Sequence, residues 1–74
     1  MKPERIIHEA NQIALFMETM PEDERVAGVA GHINDYWEPR IRRKFLDMIE
    51  RGDPGFRPLV LEAAPKIRRP APGA

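Results

Sequence analysis

At 74 residues, with 12 Lys plus Arg against 12 Asp plus Glu, the chain is a single small domain whose net charge does not steer it toward nucleic acid or a membrane. It contains no Cys, which excludes a disulfide framework, a thiolate zinc site and a ligand set for an iron–sulfur cluster. Without such staples a core of this size supplies only about 3–5 kcal/mol of net stability, so association with a larger partner is the expectation.

The apolar residues recur with a helical period and no stretch alternates as a strand would, so the predicted fold is all-α. Residues 1–52 read as a small three-helix domain, 53–64 as a loop plus a short C-terminal helical turn, and 65–74 as a Pro-rich tail, extended or disordered. The first helix is predicted from Pro3, a good first-turn residue, to about Thr19. Ile6, Ile7, Ala10, Ile13, Ala14 and Met17 form its core stripe. Leu15 falls nearly opposite, close to His8 and Asn11, and Phe16 sits on the flank with Arg5 and Gln12. A helix that is apolar beyond its core side is usually covered on more than one side.

The second helix begins around Pro21, with Glu22, Asp23 and Glu24 in the turn where the helix dipole favours acids. Its core stripe is Val26, Val29, Ala30, Ile33 and Trp37, with Tyr36 at the margin. His32 shares a side with Tyr36 and Arg25 and reads as a half-buried hydrogen-bonding residue or a partner contact. Gly28 and Gly31, each costing a helix about 1 kcal/mol relative to Ala, imply close approach of the first helix or of a partner.

Pro39 ends the second helix and opens the third, which runs to about Arg51 with Gly52 as its C-terminal cap. Ile41, Phe45, Met48 and Ile49 form the apolar stripe, with Leu46 beside it. Arg43–Asp47 and Asp47–Arg51 have ion-pair spacing on the outer face, where Arg43 and Lys44 read as solvated. Arg42 steps onto the apolar side, where an arginine must snorkel, pair or cross an interface. Beyond Asp53-Pro54-Gly55, one helical turn is predicted from Pro58 to Ala64.

Catalytic chemistry finds little here. The chain has no Ser or Cys nucleophile, and His8 and His32 do not have metal-site spacing, so no catalytic, cofactor-binding or metal-ligating residue is expected. With no apolar run long enough to span a bilayer and no apolar leader segment, a soluble cytoplasmic protein is expected. The unusual residues are instead those of a docking surface: Asn11, Gln12, Leu15 and Phe16 on the first helix, and His32, Trp37, Pro39, Arg40 and Arg42 around the second junction.

Asn11-Gln12-Ile13-Ala14, then Phe16, then Ala30-x-His32-Ile33, then Trp37-x-Pro39-Arg40-x-Arg42 form an ordered pattern. The pattern resembles the delta subunits of the soluble NAD-dependent formate dehydrogenases that contain molybdenum or tungsten. The resemblance covers roughly residues 6–50; it departs at Ile41, where Met is common, and has no counterpart for the Pro-rich end. It implies a non-catalytic subunit that stabilises or assembles a cytoplasmic complex oxidising formate and reducing NAD. In that family the alpha subunit holds a molybdenum bis-pterin cofactor and iron–sulfur clusters, and beta and gamma subunits pass electrons through further clusters and a flavin. The implied partner is the alpha subunit, with no nucleic acid and no membrane, and no cofactor in this chain. The alternatives are a maturation factor for cofactor insertion into the catalytic subunit and, from another class, a small helical module binding nucleic acid or a regulatory protein.

Overall fold

The computed structural model describes residues 1–71, and among them every regular element is helical. Helix α1 spans Pro3–Met17, α2 Glu22–Tyr36, α3 Pro39–Glu50 and α4 Pro58–Ala63, and a 3-10 turn follows at Ala64–Lys66. Proline occupies the first turn of α1, α3 and α4, where its fixed φ suits the helix and its missing N–H costs nothing. Helix α2 instead carries Glu22, Asp23 and Glu24 against its unpaired N-terminal amides. Helix α3 stops as its sequence predicts: Gly52 takes φ +78°, its N–H donates to the Ile49 carbonyl, and the Asp53 N–H donates to Met48.

Helices α1 and α2 form an αα-hairpin, and α2 packs against α4 as well. The core joins Ile6, Ala10 and Ala14 of α1 to Val29, Ala30 and Ile33 of α2 and Phe45, Leu46 and Met48 of α3. Leu59, Val60 and Ala63 of α4 lie in the same cluster, with Phe56 before them and Ala64 and Ile67 after. The segment expected to be a loop and a turn therefore supplies core on the same footing as the three long helices. Ile13 and Met17, expected in the core stripe of α1, are only half-buried at its edge. At Gly28 an added Cβ would overlap Met17 Sδ, so this glycine serves close approach to α1 as its sequence implies; at Gly31 an added Cβ meets open space.

The Pro-rich end, expected to be extended or disordered, is tied down as far as Ala71, and residues 72–74 lie outside the described residues. Ile67 is extended and buried against the core. Arg42, Asn34 and Arg43 hold the backbone on either side of it, so residues 66–71 lie as a strap across α2 and α3.

Candidate docking surface

Two asparagines hold the two extended segments in the same way. In an extended chain the carbonyl of residue i and the N–H of residue i+2 point to the same side, so one primary amide can engage both. Asn11 Nδ2 donates to the Gly55 carbonyl at 2.8 Å, and its Oδ1 accepts from the Arg57 N–H at 2.9 Å. Asn34 Nδ2 donates to the Lys66 carbonyl at 3.2 Å, and its Oδ1 accepts from the Arg68 N–H at 2.8 Å. The residue between each pair, Phe56 or Ile67, goes into the core. Each asparagine takes the place of a neighbouring strand.

The basic cluster of α3 does related work. Arg42 Nε donates to the Arg68 carbonyl at 2.7 Å, and Nη1 reaches Trp37 and Asn34 carbonyls at the end of α2 at 3.3 and 3.4 Å. Arg43 donates to the Ala71 carbonyl and Lys44 to that of Met1. Their sequence positions imply simple solvation, yet both are hydrogen-bonded to backbone of the chain's ends. Asp47 is likewise drawn away from its expected partners: it and Glu50 pair with Arg69 of the strap, while Arg51 pairs with Asp53. At the opposite end, Arg57 forks onto both carboxylate oxygens of Glu18 at 2.8 Å. That hydrogen bonding, more than the charge itself, holds the Glu18 carboxyl below its ordinary pKa and raises that of Arg57.

The α1–α2 furrow is built differently. Ile13, Phe16 and Met17 of α1 recur at helical spacing with Gln12 alongside, and His32 faces them from α2. Together these residues line a shallow, almost wholly apolar groove of about 340 Å³. Phe16 is 61% exposed. His32, expected to be half-buried and hydrogen-bonded, is exposed and lies against Tyr36 with ring centroids 4.9 Å apart. Tyr36 is 76% exposed and leads into a second hollow of about 170 Å³, shared with Trp37, Ile41, Met1, Glu9 and Glu38. Trp37 backs that hollow from a fixed position, because its ring meets Phe45 edge-on at 5.3 Å and Phe45 meets Phe56 at 5.5 Å.

Of the residues singled out in the sequence, Gln12, Phe16 and His32 converge on one groove, and Trp37 lies in the hollow beside it. Leu15 is exposed about 100° around α1 from Phe16, outside the furrow. Pro39 and Arg40 are exposed at the start of α3. Asn11 through its amide and Arg42 through Nε and Nη1 are hydrogen-bonded within the chain, which accounts for their positions with no partner present. The residue that sequence reasoning undervalued is Tyr36, although its i+4 spacing from His32 carries the signal. Nothing local marks Asn34, an amide that meets a segment 32 residues away.

Among the described residues no three His, Cys, Asp or Glu side chains are grouped as a metal site, and no helix is long and apolar enough to cross a membrane. No curated protein matches the chain. The family model for the NADH-dependent formate dehydrogenase delta subunit, FdsD, matches residues 5–64.

Proposed function

Because the chain belongs to the delta-subunit family of NADH-dependent formate dehydrogenases, we propose that it is a non-catalytic accessory subunit that docks on the large catalytic subunit through its α1–α2 furrow. The observation that carries this reading is the run of exposed Phe16, His32 and Tyr36 side chains along one furrow, ending at Trp37. Aromatic side chains of this kind dominate interface energetics, and burying one fully is worth about 1.5–3 kcal/mol. A small helical chain that binds only the folded catalytic subunit raises that subunit's apparent stability by mass action. In this reading the molybdenum cofactor, clusters and flavin belong to the alpha, beta and gamma subunits, and the complex is cytoplasmic.

Phe16→Asp tests the reading directly. The substitution places a charge in the apolar groove without touching a core residue, so the melting temperature of the chain should stay within a few degrees. Co-purification with the formate dehydrogenase subunits should fall by about tenfold or more. Full retention of the variant in the active complex would remove the furrow from the interface. Recovery of the wild-type chain only with cofactor-free catalytic subunit would convert the role from resident subunit to maturation factor.

A further inference from the structure

Building on that docking reading, we infer that the furrow's occupant is a helix carrying two anchors: an apolar residue for the groove at Phe16 and, about seven residues along, a basic residue for the hollow at Tyr36 and Trp37. The hollow's volume of about 170 Å³ is below the roughly 300–1,000 Å³ usual for small-molecule sites and suits one side chain. Its walls combine two aromatic rings, Tyr36 and Trp37, with two carboxylates, Glu9 and Glu38. Aromatic faces attract cations, and carboxylates complete the match to a guanidinium, which can stack and fork at once.

Glu9 and Glu38 are available for this use. Neither forms an ion pair among the described residues, whereas Glu18, Asp47, Glu50 and Asp53 all do. Lys44, a base on α3 near the chain's start, donates to the Met1 carbonyl and does not line the hollow. His32 lines the groove and Tyr36 the hollow, and their tilted rings lie 4.9 Å apart, so the two depressions are neighbours. Glu9 and Phe16 stand seven residues apart on α1, about 10 Å along its axis. A partner helix lying along the furrow has the same rise, and its residues i and i+7 share a face.

The test uses the full chain co-expressed with the formate dehydrogenase subunits and recovered through a tag on the catalytic subunit, with washes at low and high salt. Glu9→Lys with Glu38→Lys should reduce retention by about tenfold or more at low salt, where like charges meet across the interface. Glu9→Gln with Glu38→Gln should reduce it less and flatten its salt dependence. Thermal melting of the Gln variant should stay close to the parent, because neither carboxylate is ion-paired inside the chain, and the Lys variant should lose only the few degrees that a cation at the Glu38 N-cap of α3 costs. A photoreactive phenylalanine in place of Tyr36 should cross-link to a partner peptide that contains Arg or Lys. Unchanged or increased retention of the Lys variant, or a cross-linked peptide without a basic residue, overturns the basic anchor. If Phe16→Asp still abolishes retention in that case, the docking reading survives alone; if it does not, both fall.

Discussion

The clamped face and the open furrow of this chain use different kinds of residue for opposite ends. On the clamped face Asn11, Asn34, Arg42 and Arg57 are polar side chains bonded to backbone or carboxylate of the same chain. In the furrow, Phe16 and Tyr36 are large apolar side chains more than half exposed, and Glu9 and Glu38 stand without an ion-pair partner among the described residues. A small domain lacking Cys needs both: side-chain clamps to hold short extended segments on its core, and a surface left uncommitted for binding. The separation predicts that damage to the clamps costs stability while damage to the furrow costs association.

The largest effect should come from Ile67, where the strap enters the core. Ile67→Ala removes a side chain only 6% exposed and should cost about 2–4 kcal/mol. That approaches the whole stability available to a chain this small, so Ile67→Val, at about 0.5–1.5 kcal/mol, keeps the comparison measurable by urea unfolding. Indifference to both changes would show that the strap does not belong to the cooperative unit.

Next in size are Asn34→Ala and Arg42→Ala, each expected to cost about 1 kcal/mol by removing strap hydrogen bonds. Both side chains hold Arg68, one through its N–H and the other through its carbonyl. The double variant should therefore cost less than the sum, with a coupling of at least about 0.5 kcal/mol. Retention in the formate dehydrogenase complex should be unchanged at concentrations where the variants are folded. A stable Arg42→Ala variant that no longer associates would return Arg42 to the interface and break the division between the faces.

Arg42 also marks the boundary of what can be read from sequence. Its place on the apolar side of α3 shows that something must satisfy a guanidinium there, but backbone carbonyls of a distant strap and an acidic partner satisfy it equally. The long helices were legible because their signals are local: Pro3 and Pro39 open helices, and Gly52 closes one at φ +78°. Helix α4 has six residues, too few for a period to declare which of Leu59, Val60 and Leu61 go inside. The strap reads as loose because Pro-rich composition speaks only about local chain propensity, while its order comes from Asn34 and Arg42. The furrow was half legible, since Phe16 and His32 are anomalous by position whereas Tyr36 acquires meaning only beside the His32 ring.

A smaller effect belongs to the Glu18–Arg57 fork, a partly exposed clamp. The folded state lowers the Glu18 pKa, chiefly through the Arg57 hydrogen bond, so its stabilising contribution is present above the ordinary glutamate pKa and is lost as pH falls through the lowered value. Thermal melts below about pH 5 should decline, and Glu18→Gln should reduce that decline while lowering stability slightly at neutral pH. An unchanged acid limb in the variant would leave the fork without energetic weight.

The smallest change is informative because its sign differs from the others. Gly31 lies within α2, where an added Cβ meets open space, and it does not line the furrow. Gly31→Ala should therefore raise stability by about 0.5–1 kcal/mol, through the backbone entropy that a helical glycine forfeits. Gly28→Ala is the internal control, since its Cβ would press on Met17 Sδ at the furrow's edge and should not yield that gain. If association depends on the furrow alone, Gly31→Ala leaves retention in the complex intact while the melting temperature rises. Loss of retention with increased stability would mean that a partner approaches α2 closely at Gly31, on the side away from its core stripe, and the chain would then be gripped on two faces instead of one.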